Sequence, residues 1–313
     1  MADAEALLEE AIGGDRRSLA RLLSVVEAGG DQFRAIAPKV FAAGRGAHSI
    51  GLTGAPGAGK SSLTDALVAA VRLSGSRVAV VAVDPSSPLS GGAILGDRVR
   101  LREQHAVDDD VYVRSMASRG QLGGLSLAVP EVVRALDAAG WPVVIIETVG
   151  VGQSEVAIAE NADTTVVVVN PGWGDEVQAN KAGLLEIADV LVVNKADRPG
   201  VESTVHDLER MLHLGKARAW TPVIVTTVAT DGAGVDRLWS TIAEHQAFLL
   251  TTGELDRRRA QRRVAEARQR ALHDVAAAVA RAERSTDGQQ VLADLVAGII
   301  DPVTASARLA RLI

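Results

Sequence analysis

The sequence predicts an α/β fold: a mainly parallel central sheet flanked by helices, with an N-terminal helical extension and a C-terminal helical arm. Three observations lead there. Seven short β-branched runs, "SIGLTG", "RVAVVAVD", "VYVRS", "VVIIET", "TTVVVVN", "VLVVNK" and "TPVIVTT", alternate with segments of helical pattern. The first run leads into "GLTGAPGAGKSS", which satisfies G-x-x-x-x-G-K-[ST]. After Gly253 the chain runs on as "ELDRRRAQRRVAEARQRALHDVAAAVARAER", without Gly or Pro.

The elements can be justified in order. Residues 3–43 are rich in Ala, Leu, Glu and Arg, with Leu19, Leu22, Leu23 and Val26 at helical spacing and Gly13-Gly14 and Gly29-Gly30 as punctuation. They predict two or three helices packing on the main body, an extension over 1–46. From residue 47 to 252 the runs are apolar without alternation, which suits strands covered on both faces. Intervening helices imply parallel strands joined by right-handed crossovers, and ligands then belong at the carboxyl ends of the strands. Residues 253–313 form the arm. Its Ala, Arg, Glu and Gln content favours a long helix, and Val264, Ala267, Ala271, Val275 and Val279 make an apolar stripe in steps of three or four. Two short helices follow, the second opened by Asp301-Pro302.

Composition removes several functions. The 313 residues suffice for a sizeable core, and with no cysteine neither a disulfide framework nor a thiolate metal site is possible, which fits an intracellular protein. A net charge of −6 argues against broad nucleic-acid binding. The start "MADAEALLEEAIGGD" lacks the basic region and apolar core of a secretory signal, and no uncharged apolar run has the length of a membrane span. The expected location is the cytoplasm. His48, His105, His206, His213, His245 and His273 are scattered, without the clustering a metal-delivery protein needs.

The chemistry concentrates at strand ends. Gly54, Ala55, Pro56, Gly57, Ala58 and Gly59 form a loop whose backbone N–H groups can wrap around phosphates at a helix N-terminus. Lys60 is placed to neutralise phosphate oxygens, Ser61 to ligate Mg²⁺, and Ser62 follows in the first helical turn. This is the signature of a P-loop NTPase. At the end of a later run, "VLVVNKADRPG" supplies Asn194, Lys195 and Asp197. A carboxylate can accept two hydrogen bonds from the N1–H and exocyclic amine of guanine, a donor pair that adenine lacks, so GTP and GDP are the expected nucleotides. Val228 and Ala229 in "TTVATDGAG" could offer backbone to the guanine oxygen.

Asp84 in "VAVDPSSPLSGG" and Asp97 in "ILGDRVRL" read either as caps and surface carboxylates or as ligands in the shell of Mg²⁺. "ETVGVGQSE" places Glu147 where nucleotide hydrolases often carry Asp, and Gly150 three positions on. Val151 stands where small GTPases carry a water-orienting Gln, so intrinsic hydrolysis should be slow. Gln153 is a candidate for that water or for a dimer contact. The candidate catalytic set is therefore Lys60, Asp84, Glu147 and Gln153.

Together "GAPGAGKSSLTDAL", "VDPSSPLSGGAILGDRVRL", "RSMASRGQLGGLS", "ETVGVGQSE", "NPGWGDEVQANKAGLLEIADVLVVNKAD" and "TVATDGAGV" closely resemble the methylmalonyl-CoA mutase-associated GTPases. The resemblance spans the chain and is densest between 50 and 236. It implies a SIMIBI-class P-loop GTPase that forms a homodimer through its C-terminal arm. It also implies a chaperone that assists an adenosylcobalamin-dependent acyl-CoA mutase, gating cofactor loading and protecting or reactivating the enzyme. Carried over, Lys60 and Ser61 serve phosphate and Mg²⁺, Asp84, Asp97 and Glu147 the metal and water network, and Asn194 and Asp197 the base. Asp175 and Lys181 match a further switch region thought to signal to the mutase. The same sequence family has also been labelled an arginine/ornithine transport kinase, so phosphate transfer to a protein or small molecule is the alternative.

Overall fold

The computed structural model describes residues 3–84, 108–117, 127–148, 158–173, 178–214 and 218–313. In chain order these form α1 (Ala4–Ile12), α2 (Arg16–Ala28), α3 (Gly30–Ala42), β1 (His48–Gly54), α4 (Lys60–Leu73), β2 (Val78–Asp84), β3 (Val111–Ala117), α5 (Val129–Ala138), β4 (Val143–Thr148) and β5 (Thr164–Val169). Then come α6 (Gln178–Ile187), β6 (Val190–Asn194), α7 (Val201–Leu214), β7 (Val223–Thr227), α8 (Val235–Thr251), α9 (Glu254–Arg284), α10 (Thr286–Val296) and α11 (Pro302–Ala310). The chain divides into two compact units, Met1–Arg258 and Arg259–Ile313.

The first unit is built on a seven-stranded sheet of order β3-β2-β4-β1-β5-β6-β7, parallel at every pairing. All seven β-branched runs are strands. The reason they do not alternate is visible in the packing: Val80 and Ile145 enter one core while their neighbours Val81 and Ile146 enter the other. Helices α4, α6, α7 and α8 cover the first face, with Leu63, Leu67, Leu185, Leu208 and Leu238 turned inward. Helices α1, α2, α3 and α5 cover the second, over β2, β3 and β4. The N-terminal helices thus form part of a layer of the sheet. Leu22, Leu23 and Ile36 are fully buried there, each stabilising by roughly 1.5–3 kcal/mol. Asp3 and Asp15 cap α1 and α2 through their carboxylates. Asp137 of α5 accepts the N–H groups of Arg45, Gly46 and Ala47 at 2.8–3.2 Å, which fixes how α3 hands over to β1.

In the second unit, α10 is capped by Ser285 and α11 by Asp301, whose carboxylate receives Val303 N–H and Thr304 N–H. Among the described residues no helix is long and apolar enough to cross a membrane.

Parallel strands put every amino end on one edge, and there a polar cluster lies buried. The Thr164 hydroxyl is 2.9 Å from His48 Nε2 and 2.8 Å from His245 Nδ1, and His245 Nε2 is 3.3 Å from Asp189 Oδ1. Asp189, at the entrance to β6, accepts Thr165 N–H at 2.9 Å and both carboxylate oxygens receive Arg258 at 3.1 Å. Burial works to raise the Asp189 carboxyl, but His245 and then Arg258 outweigh it and hold the group below the ordinary Asp value. A carboxyl depressed in the folded state stabilises the fold above its unfolded value, near 3.8, and that contribution is lost as pH falls through the lower folded value. Asp189→Asn should therefore lower stability at neutral pH by roughly 2–4 kcal/mol in chemical denaturation, less than a fully buried pair because Arg258 keeps 31% of its side chain exposed. The gap between variant and wild type should narrow below pH 4; a gap that stays constant to pH 3 contradicts this role.

Candidate functional site

At the opposite edge, where the strands end, β1 runs straight into the glycine-rich loop. Gly54 has φ 134°, and a Cβ there would sit 1.9 Å from Val168 O of β5. Only glycine allows the loop to leave β1 this close to its neighbour, and Ala55 N–H then donates to Val168 O at 3.2 Å. Ala58 N–H closes the loop on Ala55 O, and Gly59, at φ 90°, turns the chain into α4. A Cβ on Gly59 would meet Asn194 Nδ2 at 2.5 Å. Because the first N–H groups of a helix have no intrahelical partner, loop and α4 together make a cradle suited to anions.

Lys60 is buried and its ammonium donates to Gly54 O at 2.7 Å and Ala55 O at 3.0 Å, spanning the loop from inside. Ser61 is exposed. Its hydroxyl donates to Glu147 Oε1 at 2.5 Å, although 86 residues separate the two. Glu147 sits in β4 opposite Leu52 of β1 and Ala82 of β2, and is 2% exposed. A hydroxyl and a carboxylate meeting at the lip of a phosphate-type loop are hard oxygen donors of the kind Mg²⁺ takes, so the residues present fit that ion. Ser62 follows, exposed, in the first turn of α4, and Pro56 and Gly57 form the exposed tip of the loop.

The third component comes from β6. Asn194, 2% exposed, donates from Nδ2 to Ala58 O at 2.8 Å, while its Oδ1 accepts Thr227 Oγ1–H at 3.1 Å and Ala229 N–H at 3.2 Å. One amide therefore ties the glycine-rich loop to the end of β7. Lys195 takes φ 59°, unusual for a residue with a side chain, and its ammonium reaches Gly57 O at 2.6 Å. Its stem thus lies along the loop. Ala196 N–H bonds Thr227 O, and Val228 N–H bonds Ala233 O, so the two turns stand side by side. Asp197 is exposed in the first of these turns.

The structure thus brings together Gly54 to Ser61, Glu147, Asn194, Lys195, Val228 and Ala229 at one edge. Asp84 ends β2 at the same edge by its backbone; its side chain lies outside the described residues, as does that of Lys181 in α6. Asp97, Gly150, Val151, Gln153 and Asp175 also lie outside them. Among the described residues there is no cluster of three or more His, Asp or Glu that could hold a metal by itself. Sequence reasoning missed Thr227. A threonine two residues ahead of Ala229 was readable, but nothing in its spacing tells that it bonds Asn194.

Comparison with known proteins gives the same picture from another side. A profile of the family described as "Methylmalonyl Co-A mutase-associated GTPase MeaB" matches residues 19–284. A protein of Pyrococcus horikoshii named as a GTPase is 48% identical over 260 residues, 82% of each chain. GTPase ArgK of Escherichia coli is 37% identical over 273 residues, 83% of this chain and 82% of its own. The mitochondrial methylmalonic aciduria type A homolog of Mus musculus is 36% identical over 216 residues, 67% of this chain and 52% of its own. Among solved structures, that of a LAO/AO transport system kinase superposes with a TM-score of 0.70 at 27% identity, over 98% of this chain and 97% of the other.

Proposed function

The chain belongs to the family of methylmalonyl-CoA mutase-associated GTPases, and from that premise we propose that it hydrolyses GTP as the chaperone of an adenosylcobalamin-dependent acyl-CoA mutase. GTP hydrolysis to GDP and phosphate serves to gate cofactor loading and to protect or reactivate the mutase. The observation that carries the nucleotide part is the Asn194 amide joined to both the glycine-rich loop and Ala229. The mutase part rests on the family.

In this reading the backbone from Gly54 to Gly59 holds the phosphates and Lys60 neutralises their oxygens. Ser61 and Glu147 would hold Mg²⁺, and Asp84 and Asp97 would serve the metal and water network. When bound, the ion offsets charge that builds on the transferred phosphoryl group. Asp197 accepts the N1–H and exocyclic amine of guanine, Lys195 lines the base, and the backbone of Val228 and Ala229 faces the guanine oxygen. Gly150 senses the γ-phosphate and Gln153 is the candidate to orient water, since Val151 has no polar atom for it. Glu147 differs from the usual Asp by one methylene, which lets a carboxylate set back in β4 reach Ser61.

Residues 253–313 serve as the homodimer arm on the domain frame of 1–46, 47–252 and 253–313. In the single chain Val264, Leu272 and Val275 of α9 remain 53%, 70% and 56% exposed. Exposed apolar residues of this kind along one helix are a surface that a second copy would cover. The location that goes with this function is cytoplasmic, with neither nucleic acid nor membrane as partner.

A kinase reading has one observation in its favour, the transport-kinase name of the solved structure that superposes. Two outcomes test the proposal. The purified protein should hydrolyse GTP well below the roughly 10 s⁻¹ of a typical enzyme, and the mutase of its own host should raise that rate about tenfold or more, with Lys60→Ala as the blank. Phosphate recovered on an acceptor instead of in solution would favour the kinase. In sedimentation, Leu272→Asp combined with Val275→Asp should yield monomers; a variant that stays dimeric removes the arm from the interface.

A further inference from the structure

One buried hydroxyl joins the turn after β6 to the loop after β5. Thr204, in the first turn of α7, is 4% exposed. Its hydroxyl donates to Gly200 O at 3.0 Å, a bond back along the helix that threonine commonly makes. The same oxygen accepts Gly172 N–H at 3.2 Å, from a loop 32 residues earlier in the chain. Gly200 closes the turn that begins with Asn194, Lys195 and Asp197. Gly172 belongs to the loop Asn170-Pro171-Gly172-Trp173. The two loops pack in van der Waals range, since a Cβ on Gly200 would stand 3.8 Å from Pro171 Cβ and 4.0 Å from Gly172 N.

What lies beyond Gly172 makes this contact consequential. Trp173 is 7% exposed, embedded in the core of the α4 face, and its N–H bonds Asn170 O at 3.2 Å. A displacement of Gly172 therefore reaches a large buried ring directly. On the other side, Gly200 is three residues from Asp197, and Arg198 N–H bonds Lys195 O at 3.0 Å within the same turn. Gly200 and Asp197 thus belong to one short turn.

We propose that Thr204 is a positioning residue that sets the guanine-binding turn and transmits its occupancy to the loop 170–173 through the Gly200 carbonyl and the Gly172 N–H. This rests on the reading of Asp197 as the guanine acceptor. A purely local role, holding the first turn of α7, requires only the bond to Gly200 and predicts no effect at Trp173.

The test uses the full chain with Thr204→Val, which keeps the shape and removes both hydroxyl bonds while leaving the Thr204 N–H bond to Gly200 O, and Thr204→Ser, which keeps the hydroxyl. GDP and ADP are titrated, and Trp173 emission is followed at saturating GDP with Trp173→Phe as the reference. Wild type should prefer GDP and change its Trp173 emission on binding. Thr204→Val should bind GDP about tenfold more weakly, the size of one lost hydrogen bond, and lose the emission change, while Thr204→Ser keeps both. Should Thr204→Val bind GDP within twofold of wild type, or retain the emission change, the inference is overturned and the guanine reading stands. A wild type whose Trp173 ignores GDP overturns the coupling as well. A wild type without preference for GDP over ADP overturns the guanine reading and the inference with it.

Discussion

The side-chain amide of Asn194 is the constraint on which the rest of this site depends. Its nitrogen holds Ala58 of the glycine-rich loop and its oxygen holds Thr227 and Ala229 at the end of β7. Those groups arrive from β1 and β7 to meet Asn194 at the end of β6, and β1 is not a neighbour of either strand in the sheet. They meet because the loop leaves β1 leaning over β5, a path open only where Gly54 has no side chain to strike Val168. Each bond contributes roughly 1 kcal/mol net, but leaving any of the three groups buried and unpaired costs more than the bond itself contributes. Only a side chain with both donor and acceptor serves. Aspartate lacks the donor and leucine lacks both.

The same strands are fastened at their other ends. His48 opens β1, Thr164 opens β5 and Asp189 precedes β6, and these are joined to His245 of α8 and to Arg258 of α9. With β1 and β5 linked by side chains at one edge and by the Gly54 approach at the other, their register has little freedom. That matters for the site, because the distance between the glycine-rich loop and the turn after β6 is set by register across β1, β5 and β6. Ser61 and Glu147 add a third link, from α4 to β4.

The fold was largely legible because each strand is buried on both faces and so advertises itself as an unbroken β-branched run. The glycine-rich loop and Asn194-Lys195-Asp197 stood out because the residues of each lie close together in sequence, and the structure brings the loop and this turn together. What stayed hidden is built from residues far apart. Thr164, Asp189, His245 and Arg258 carry no local signal, and His48 and His245 read as scattered histidines until the sheet places them around one hydroxyl. Thr204 looks like an ordinary helix threonine until Gly172 arrives from another loop. The N-terminal segment was readable as helices packing on the main body, while its share in covering β2, β3 and β4 emerged only from the packed core.

The most direct test of this account is the GTP affinity of Asn194→Ala against wild type by titration calorimetry, with the fold checked by circular dichroism. The account predicts a fall of roughly 100-fold, about 2.7 kcal/mol, with secondary structure intact, because the cradle and the base turn lose their common support. An affinity within threefold of wild type would mean that the two halves of the site hold their places without Asn194, and the central claim would fail.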